Sequence, residues 1–392
     1  MVIVDSSGWR SLGRSSIVLA RDLSSNRFKG RAFAANPHRA MKVASIVGAR
    51  PQFIKAWPVS RELRRVGHRE TIVHTGQHYD QQMSDVFFAE MGIARPDHFL
   101  EIGSGSHGSQ TGRMLMAVEE TLVGERPDLV LVYGDTNTTL AAAIAACKLG
   151  VKLAHVESGL RSYNRTMPEE HNRVLTDHCS DLLFCPTQTA VENLAREGIV
   201  QGVHLVGDVM YDAVLAFGAR AREQSHILES LGVSPQSYML ATVHRAYNTD
   251  DPAILRRLIA AFDAIGETVL FPLHPRTRAR LTSSGGMPAL RQVRLIDPVG
   301  YLDMLALEQQ ARAILTDSGG VQKEAFFFEV PCITLRPETE WVETVAAGWN
   351  VLVGADADAI VAAARAAKPP AQAPPRVFGD GNAAAAIAAL IA

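Results

Sequence analysis

The chain has little cysteine, and what it has is scattered. Cys147, Cys179, Cys185 and Cys332 are the only four in 392 residues. They show neither C-x-x-C spacing nor the density of a disulfide scaffold, so they read as small buried apolar residues of a protein kept in a reducing, cytoplasmic setting. No uninterrupted apolar run approaches the length of a membrane span, which excludes the membrane as an expected partner. Charge of one sign is also missing: the formal balance is −2, too small for a global field that gathers nucleic acid, so any anion binding has to be local. The sequence lacks a G-x-G-x-x-G fingerprint, a Walker sequence and an H-E-x-x-H or similar ligand spacing. Neither a nicotinamide cofactor nor a protein-bound metal is therefore expected.

What is present is ordinary for a globular enzyme: 47% hydrophobic and 20% charged residues, with enough length for two domains that each bury a full core. Residues 1–40 stand apart, rich in Ser and Arg and poor in apolar periodicity. They read as a disordered extension, or as sequence upstream of a working start at Met41. No tandem short repeat is visible.

The most informative stretch runs from Ala313 to Arg336. Ala313–Leu315 is a buried strand, Asp317-Ser318-Gly319-Gly320 a turn, 321–328 a short helix stopped by Pro331, and 332–335 the next strand. Such a turn aims free backbone N–H groups and the positive end of a helix at whatever lies beyond the sheet's carboxyl edge. Two glycines let a phosphate approach the main chain. Ser318 adds a hydroxyl, and Glu324 falls one helical turn further in, where a carboxylate can take both hydroxyls of a ribose. An ordinary β–α turn with a serine cap has the same spacing.

The rest of the chain alternates strand and helix. Strands are expected at 41–47, 70–74, 129–133, 151–156, 182–185 and 204–206, then 239–243, 268–273 and 293–296. The stretch 100–112 reads as a glycine- and serine-rich loop, 207–212 as a segment crossing between domains, and 363–375 as an Ala/Pro-rich link before a final alanine-rich helix. Asp135 and Glu157 both follow strands, at the edge where open α/β sheets bind ligands. Pro168-Glu169-Glu170 opens a helix, and Glu169 and Arg173 share its face. Arg50 and Lys55 flank the first β–α turn. His244 and His274 follow strands of the second half; a histidine there is usually a satisfied loop residue, while a cleft that binds diphosphate needs such donors.

Gly48-Ala49-Arg50-Pro51, Gly134-Asp135-Thr136, His155-Val156-Glu157-Ser158-Gly159-Leu160-Arg161, Pro168-Glu169-Glu170-His171-Asn172-Arg173, Val243-His244-Arg245 and Thr316-Asp317-Ser318-Gly319-Gly320 appear in one order from Met41 onward. Together they resemble the non-hydrolysing UDP-N-acetylglucosamine 2-epimerases. The resemblance implies an α/β glycosyltransferase-B architecture: a Rossmann-like domain at 41–208 carrying catalytic carboxylates, a second at 209–375 holding UDP, and a helix at 376–392 crossing back. It implies that Arg50, His244, His274, Ser318, Gly319, Gly320, Glu324 and Arg336 bind the UDP-sugar. Asp135, Glu157 and Glu169 are then catalytic, assisted by Lys55, His244 and Arg173. It also implies Gln77 and Gln81 near a second, activating UDP-sugar, no cofactor, and a homodimer. Tyr247 departs from the family, which usually has Glu there. The Trp341-Val342-Glu343-Thr344 stretch leans toward the branch acting on diacetamido uronic acid sugars.

Two other readings use the same cradle: a UDP-sugar transferase, which needs an acceptor groove, and a non-catalytic UDP-sugar-binding protein. Three carboxylates with Lys55 exceed what simple transfer or mere binding requires. An epimerase that hydrolyses its substrate is distinguished by irreversible release of UDP.

Overall fold

The computed structural model describes residues 40–77, 91–92, 95–273, 277–278, 281 and 290–391. The N-terminal arm, Gln81 and His274 lie outside the described residues. Among those described, thirteen strands form two all-parallel sheets. The first contains β1 (Lys42–Val47), β2 (Arg69–His74), β3 (His98–Phe99), β4 (Leu129–Tyr133), β5 (Lys152–Val156), β6 (Leu182–Cys185) and β7 (Val203–Leu205), in the order β3-β2-β1-β4-β5-β6-β7. The second contains β8 (Met239–Thr242), β9 (Val269–Pro272), β10 (Val293–Ile296), β11 (Ala313–Thr316), β12 (Cys332–Thr334) and β13 (Asn350–Leu352), in the order β10-β9-β8-β11-β12-β13.

Both orders reverse direction once, between β1 and β4 and between β8 and β11. At such a reversal the loops leaving the two adjacent strands splay apart and open a crevice. Residues 48–51 and 134–136 therefore flank one crevice, and residues 243–245 and 317–320 flank the other. The unbroken apolar run Leu129-Val130-Leu131-Val132-Tyr133 is buried throughout, as expected for a parallel strand covered by helices on both faces.

One core cluster joins the two lobes. The helix Val209–Gln224 sets Phe217 between Trp57 of the first helix and Tyr301 of the second lobe, with ring centroids 4.4 and 5.8 Å apart. The last helix, Ala383–Ile391, adds Ala384, Ile387 and Ile391 to the same cluster as Phe53 and Val59, so the end of the chain crosses back onto the first lobe. Its start is tied by Asp212, whose carboxylate accepts the N–H groups of Ala383 (3.2 Å) and Ala384 (2.8 Å).

Several expectations are corrected. The second half of the 100–112 loop is helical, since a helix spans His107–Glu125; its first apolar contact, Met114, comes two turns after a glycine- and serine-rich start. The crossing segment after Gly207 is the beginning of the helix Val209–Gln224, capped by Asp208 through Met210 N–H at 2.8 Å. The first residues of the 363–375 link belong to the helix Ala357–Ala366. The helix after the glycine turn starts at Gly319 rather than at 321. Strands β3 and β13 are too short to carry a periodic signal. Cys147 is exposed and Cys179 half-buried, while Cys185 and Cys332 are buried as expected.

Candidate active site

In the second lobe, Asp317 organises the crevice. It follows β11 and is fully buried. Its carboxylate accepts the backbone N–H of His244 (3.1 Å) and of Arg245 (3.0 Å) and the side-chain amide of Asn248 (3.0 Å). His244 Nδ1 lies 3.0 Å from the same carboxylate. Burial alone would raise the pKa of Asp317, but these donors, His244 foremost, bring it below the usual range. One side chain thus folds the loop after β8 over the turn after β11. With Nδ1 engaged, Nε2 is the His244 nitrogen left for a ligand, on a side chain that is 59% exposed.

Ser318 caps the next helix, its Oγ accepting Val321 N–H at 3.4 Å. The first N–H groups of that helix, from Gly319 and Gly320, have no partner within it and suit an anion. Glu324 is buried, accepts the Tyr301 hydroxyl at 3.2 Å, and is pushed by burial up to about 7. Arg336 is enclosed rather than open to the crevice, with both terminal nitrogens 3.0 Å from Glu340.

In the first lobe, Gln52 ties the two splayed loops together. Its Oε1 accepts the N–H groups of Gly48 (2.8 Å) and Ala49 (3.1 Å), and its Nε2 donates to the carbonyl of Tyr133 (2.8 Å). Arg50 starts the first helix and is half-buried. Gly134 has φ +63°, and a Cβ there would sit 3.0 Å from Lys55 Nζ. Lys55 reaches Glu157, Nζ to Oε1 at 2.5 Å. Glu157 itself has φ +70°, a left-handed conformation that costs a non-glycine residue about 1–3 kcal/mol and gathers at functional sites. Its other oxygen meets Lys323 of the second lobe at 2.8 Å. Burial favours the neutral acid, yet the ammoniums of Lys323 and Lys55 outweigh it and hold Glu157 at about 2.

Arg173 is the second link between the lobes. It bonds Asp135 (Nη2 to Oδ2, 2.7 Å) and Glu170 (2.8 Å) in its own lobe, and Glu340 (2.9 Å) in the other. The sequence pairs Glu169 with Arg173 on one helix face. In the fold Arg173 takes Glu170 instead, three residues away, and Glu169 turns across to Arg245 at 2.9 Å. Asp135 and Glu169 line a cavity of about 300 Å³ with Gln77, His107, Gln110 and Asn137. Gln77 is buried, and its Oε1 accepts from Thr138 N–H (3.0 Å) and Oγ1 (2.8 Å).

Sequence reasoning assigned no role to Lys323, Glu340, Asp317 or Arg245. Lys323 could have been found from spacing, since it lies one helical turn beyond Gly319. The others lack such a signal, because the partners that place them in the site are remote in sequence: His244 for Asp317, Glu169 for Arg245 and Arg173 for Glu340.

The family model described as UDP-N-acetylglucosamine 2-epimerase matches residues 61–392. A UDP-N-acetylglucosamine 2-epimerase homolog of Methanococcus maripaludis is 53% identical over 87% of this chain and 97% of its own length. The UDP-2,3-diacetamido-2,3-dideoxy-D-glucuronate 2-epimerase of Pseudomonas aeruginosa is 50% identical over 90% of this chain and 99% of its own. The crystal structure of the Methanocaldococcus jannaschii UDP-GlcNAc 2-epimerase, in complex with UDP-GlcNAc and UDP, superposes with a TM-score of 0.82 at 42% identity, covering 90% of this chain and 99% of that one.

Proposed function

The chain belongs to the UDP-N-acetylglucosamine 2-epimerase family, and from that premise we propose that it inverts C2 of a UDP-activated N-acetylated sugar without hydrolysing it. The substrate is UDP-GlcNAc or its 2,3-diacetamido glucuronate counterpart, and the product serves as a precursor of cell-surface polysaccharide. The observation that carries this reading is that each of the three carboxylates lies within one or two ionic contacts of the second lobe. Glu157 meets Lys323, Glu169 meets Arg245, and Asp135 meets Glu340 through Arg173.

The C2 proton of such a sugar has no neighbouring carbonyl and is too weakly acidic for direct removal. Breaking the C1–O bond first solves this. The second lobe supplies the means: helix N–H groups at Gly319 and Gly320, together with His244, neutralise charge on the departing UDP. Arg50, at the crevice of the first lobe, offers a further cation to that charge, and Glu324 holds the ribose. The cationic centre left at C1 acidifies the C2 proton. Glu157, ionised at about 2, is a poor proton acceptor and acts as a fixed negative charge beneath that centre. Asp135 and Glu169 are partly exposed in the cavity they share, so they exchange the proton, one on each face of the ring. Elimination gives a 2-acetamidoglucal, and return of UDP with reprotonation from the other face gives the epimer. The enzyme works in the cytoplasm as a homodimer, and Gln77 adjoins a second, activating UDP-sugar.

NMR of the reaction in deuterated water, run separately on the two candidate sugars, tests the proposal. Deuterium at C2 of both epimers with UDP retained is the expected result. Loss of UDP to free sugar, or no exchange with either substrate, refutes it.

A further inference from the structure

The helix Gly319–Phe327 does more than end in a phosphate cradle. One turn along it, Lys323 is 1% exposed and inserts its ammonium between two carboxylates, Glu157 Oε2 at 2.8 Å and Asp208 Oδ2 at 2.6 Å. The ammonium sits over the face of Trp341, 4.0 Å from the ring centroid. The indole of Trp341 also bounds the cradle, since a Cβ on Gly319 would lie 3.2 Å from its Nε1. Asp208 in turn caps the helix Val209–Gln224 through Met210 N–H. A buried ammonium with two carboxylates cannot change partners without leaving a charge unpaired, which fixes this arrangement strongly.

We propose that Lys323 is a positioning residue that couples the phosphate cradle to the Glu157 carboxylate, so that capture of the diphosphate and placement of that carboxylate are one event. The inference rests on the reading above that Glu157 acts as a fixed charge. Cradle and lysine share one rigid helix, so a displacement of Gly319 by an arriving diphosphate is transmitted to Nζ and from there to Glu157. The charged groups facing this point are Lys55 from the first helix, Asp208 from the lobe junction, and Glu324 from the next position of the same helix.

The test is Lys323→Met beside Lys323→Arg in the full chain. Three quantities are measured: UDP affinity by calorimetry, kcat and KM for C2 exchange, and titration of the Glu157 carboxyl by carbon NMR, assigned with Glu157→Gln. In Lys323→Met, loss of one of two adjacent ammoniums moves the Glu157 titration up by about one unit or more. The kcat then falls about a hundredfold, while KM stays within about threefold. Lys323→Arg keeps the charge, holds the titration low and recovers part of the kcat. An unchanged Glu157 titration in Lys323→Met overturns the assignment whether or not the enzyme turns over. Should Lys323→Met fail to fold, Lys323→Arg with a raised Glu157 titration overturns it equally. If the wild-type protein exchanges with neither sugar, the functional reading fails separately, and the titration alone decides on Lys323.

Discussion

Arg173 and Glu340 meet across the two lobes, Nη2 to Oε1 at 2.9 Å, with both side chains almost wholly buried. Burial by itself would raise the pKa of Glu340, but the guanidiniums of Arg173 and Arg336 overcome this and hold it at about 2. The contact therefore works as a latch whose strength depends on an ionised carboxylate.

Glu340→Gln leaves Arg173 and Arg336 with a neutral partner. Removing one side of a buried ion pair costs about 3–5 kcal/mol, and the remaining partners Asp135 and Glu170 put the expected loss at the low end of that range. Because the folded pKa is depressed, the stabilisation is present above the unfolded value of 4.5 and is lost as pH falls toward 2. The gap in melting temperature between wild type and variant should be widest near neutrality and close below pH 4.5. A gap that is independent of pH would remove the ionic argument.

Asp135→Asn isolates chemistry from binding. The proposed diphosphate cradle lies in the other lobe, and asparagine keeps an oxygen for Arg173. UDP affinity should stay within about threefold while C2 exchange falls about a thousandfold, in the range that a lost acid–base group gives. Calorimetry and deuterium exchange on the same sample check both halves. Full activity would remove Asp135 from the mechanism.

Glu324 titrates in the opposite sense. Its folded pKa is raised, by burial above all, to about 7. Its contribution to stability is complete below 4.5 and is lost as pH rises through about 7. Relative to Glu324→Gln, the wild type should be of similar stability at pH 5 and less stable at pH 8. Above pH 7, where the wild-type group is an ionised acceptor for the ribose hydroxyls, the variant should also bind UDP about tenfold or more weakly. Chemical denaturation at the two pH values and calorimetry read the two effects. Equal pH dependence in both proteins would count against the buried, protonated state.

How far the fold is legible depends on how local its causes are. β4 is plain in the sequence because Leu129–Tyr133 is an unbroken apolar run. The cradle is plain because Asp317-Ser318-Gly319-Gly320 cuts off the apolar strand that ends at Thr316 with a serine and two glycines. The helix His107–Glu125 hides behind a first turn of Gly and Ser, where propensity misleads and packing decides. Asp135, Glu157 and Glu169 are visible as carboxylates at strand and helix ends, but their partners are not. Lys323 and Glu157 are separated by 166 positions, and no periodicity links two lobes. The left-handed backbone at Glu157 is equally silent, since only the assembled turn imposes it.

Gly134→Ala tests whether the turn beneath the proposed catalytic carboxylates has to be this tight. At φ +63° an alanine is strained by about 1–2 kcal/mol, which lowers the melting temperature by a few degrees in a chain of this size. The larger consequence is local. The new methyl would lie 3.0 Å from Lys55 Nζ and 3.7 Å from Glu157 Oε1, so the ammonium has to swing away from the carboxylate it holds. Glu157 then keeps Lys323 but loses Lys55, and Asp135, the next residue, shifts with the turn. The expected outcome is a folded protein with unchanged UDP affinity and C2 exchange reduced at least about tenfold. Lys55→Met should give a comparable loss, and the double variant should lose little more than either alone, because both act on one contact. Additive losses would mean that the turn and the lysine serve the reaction independently.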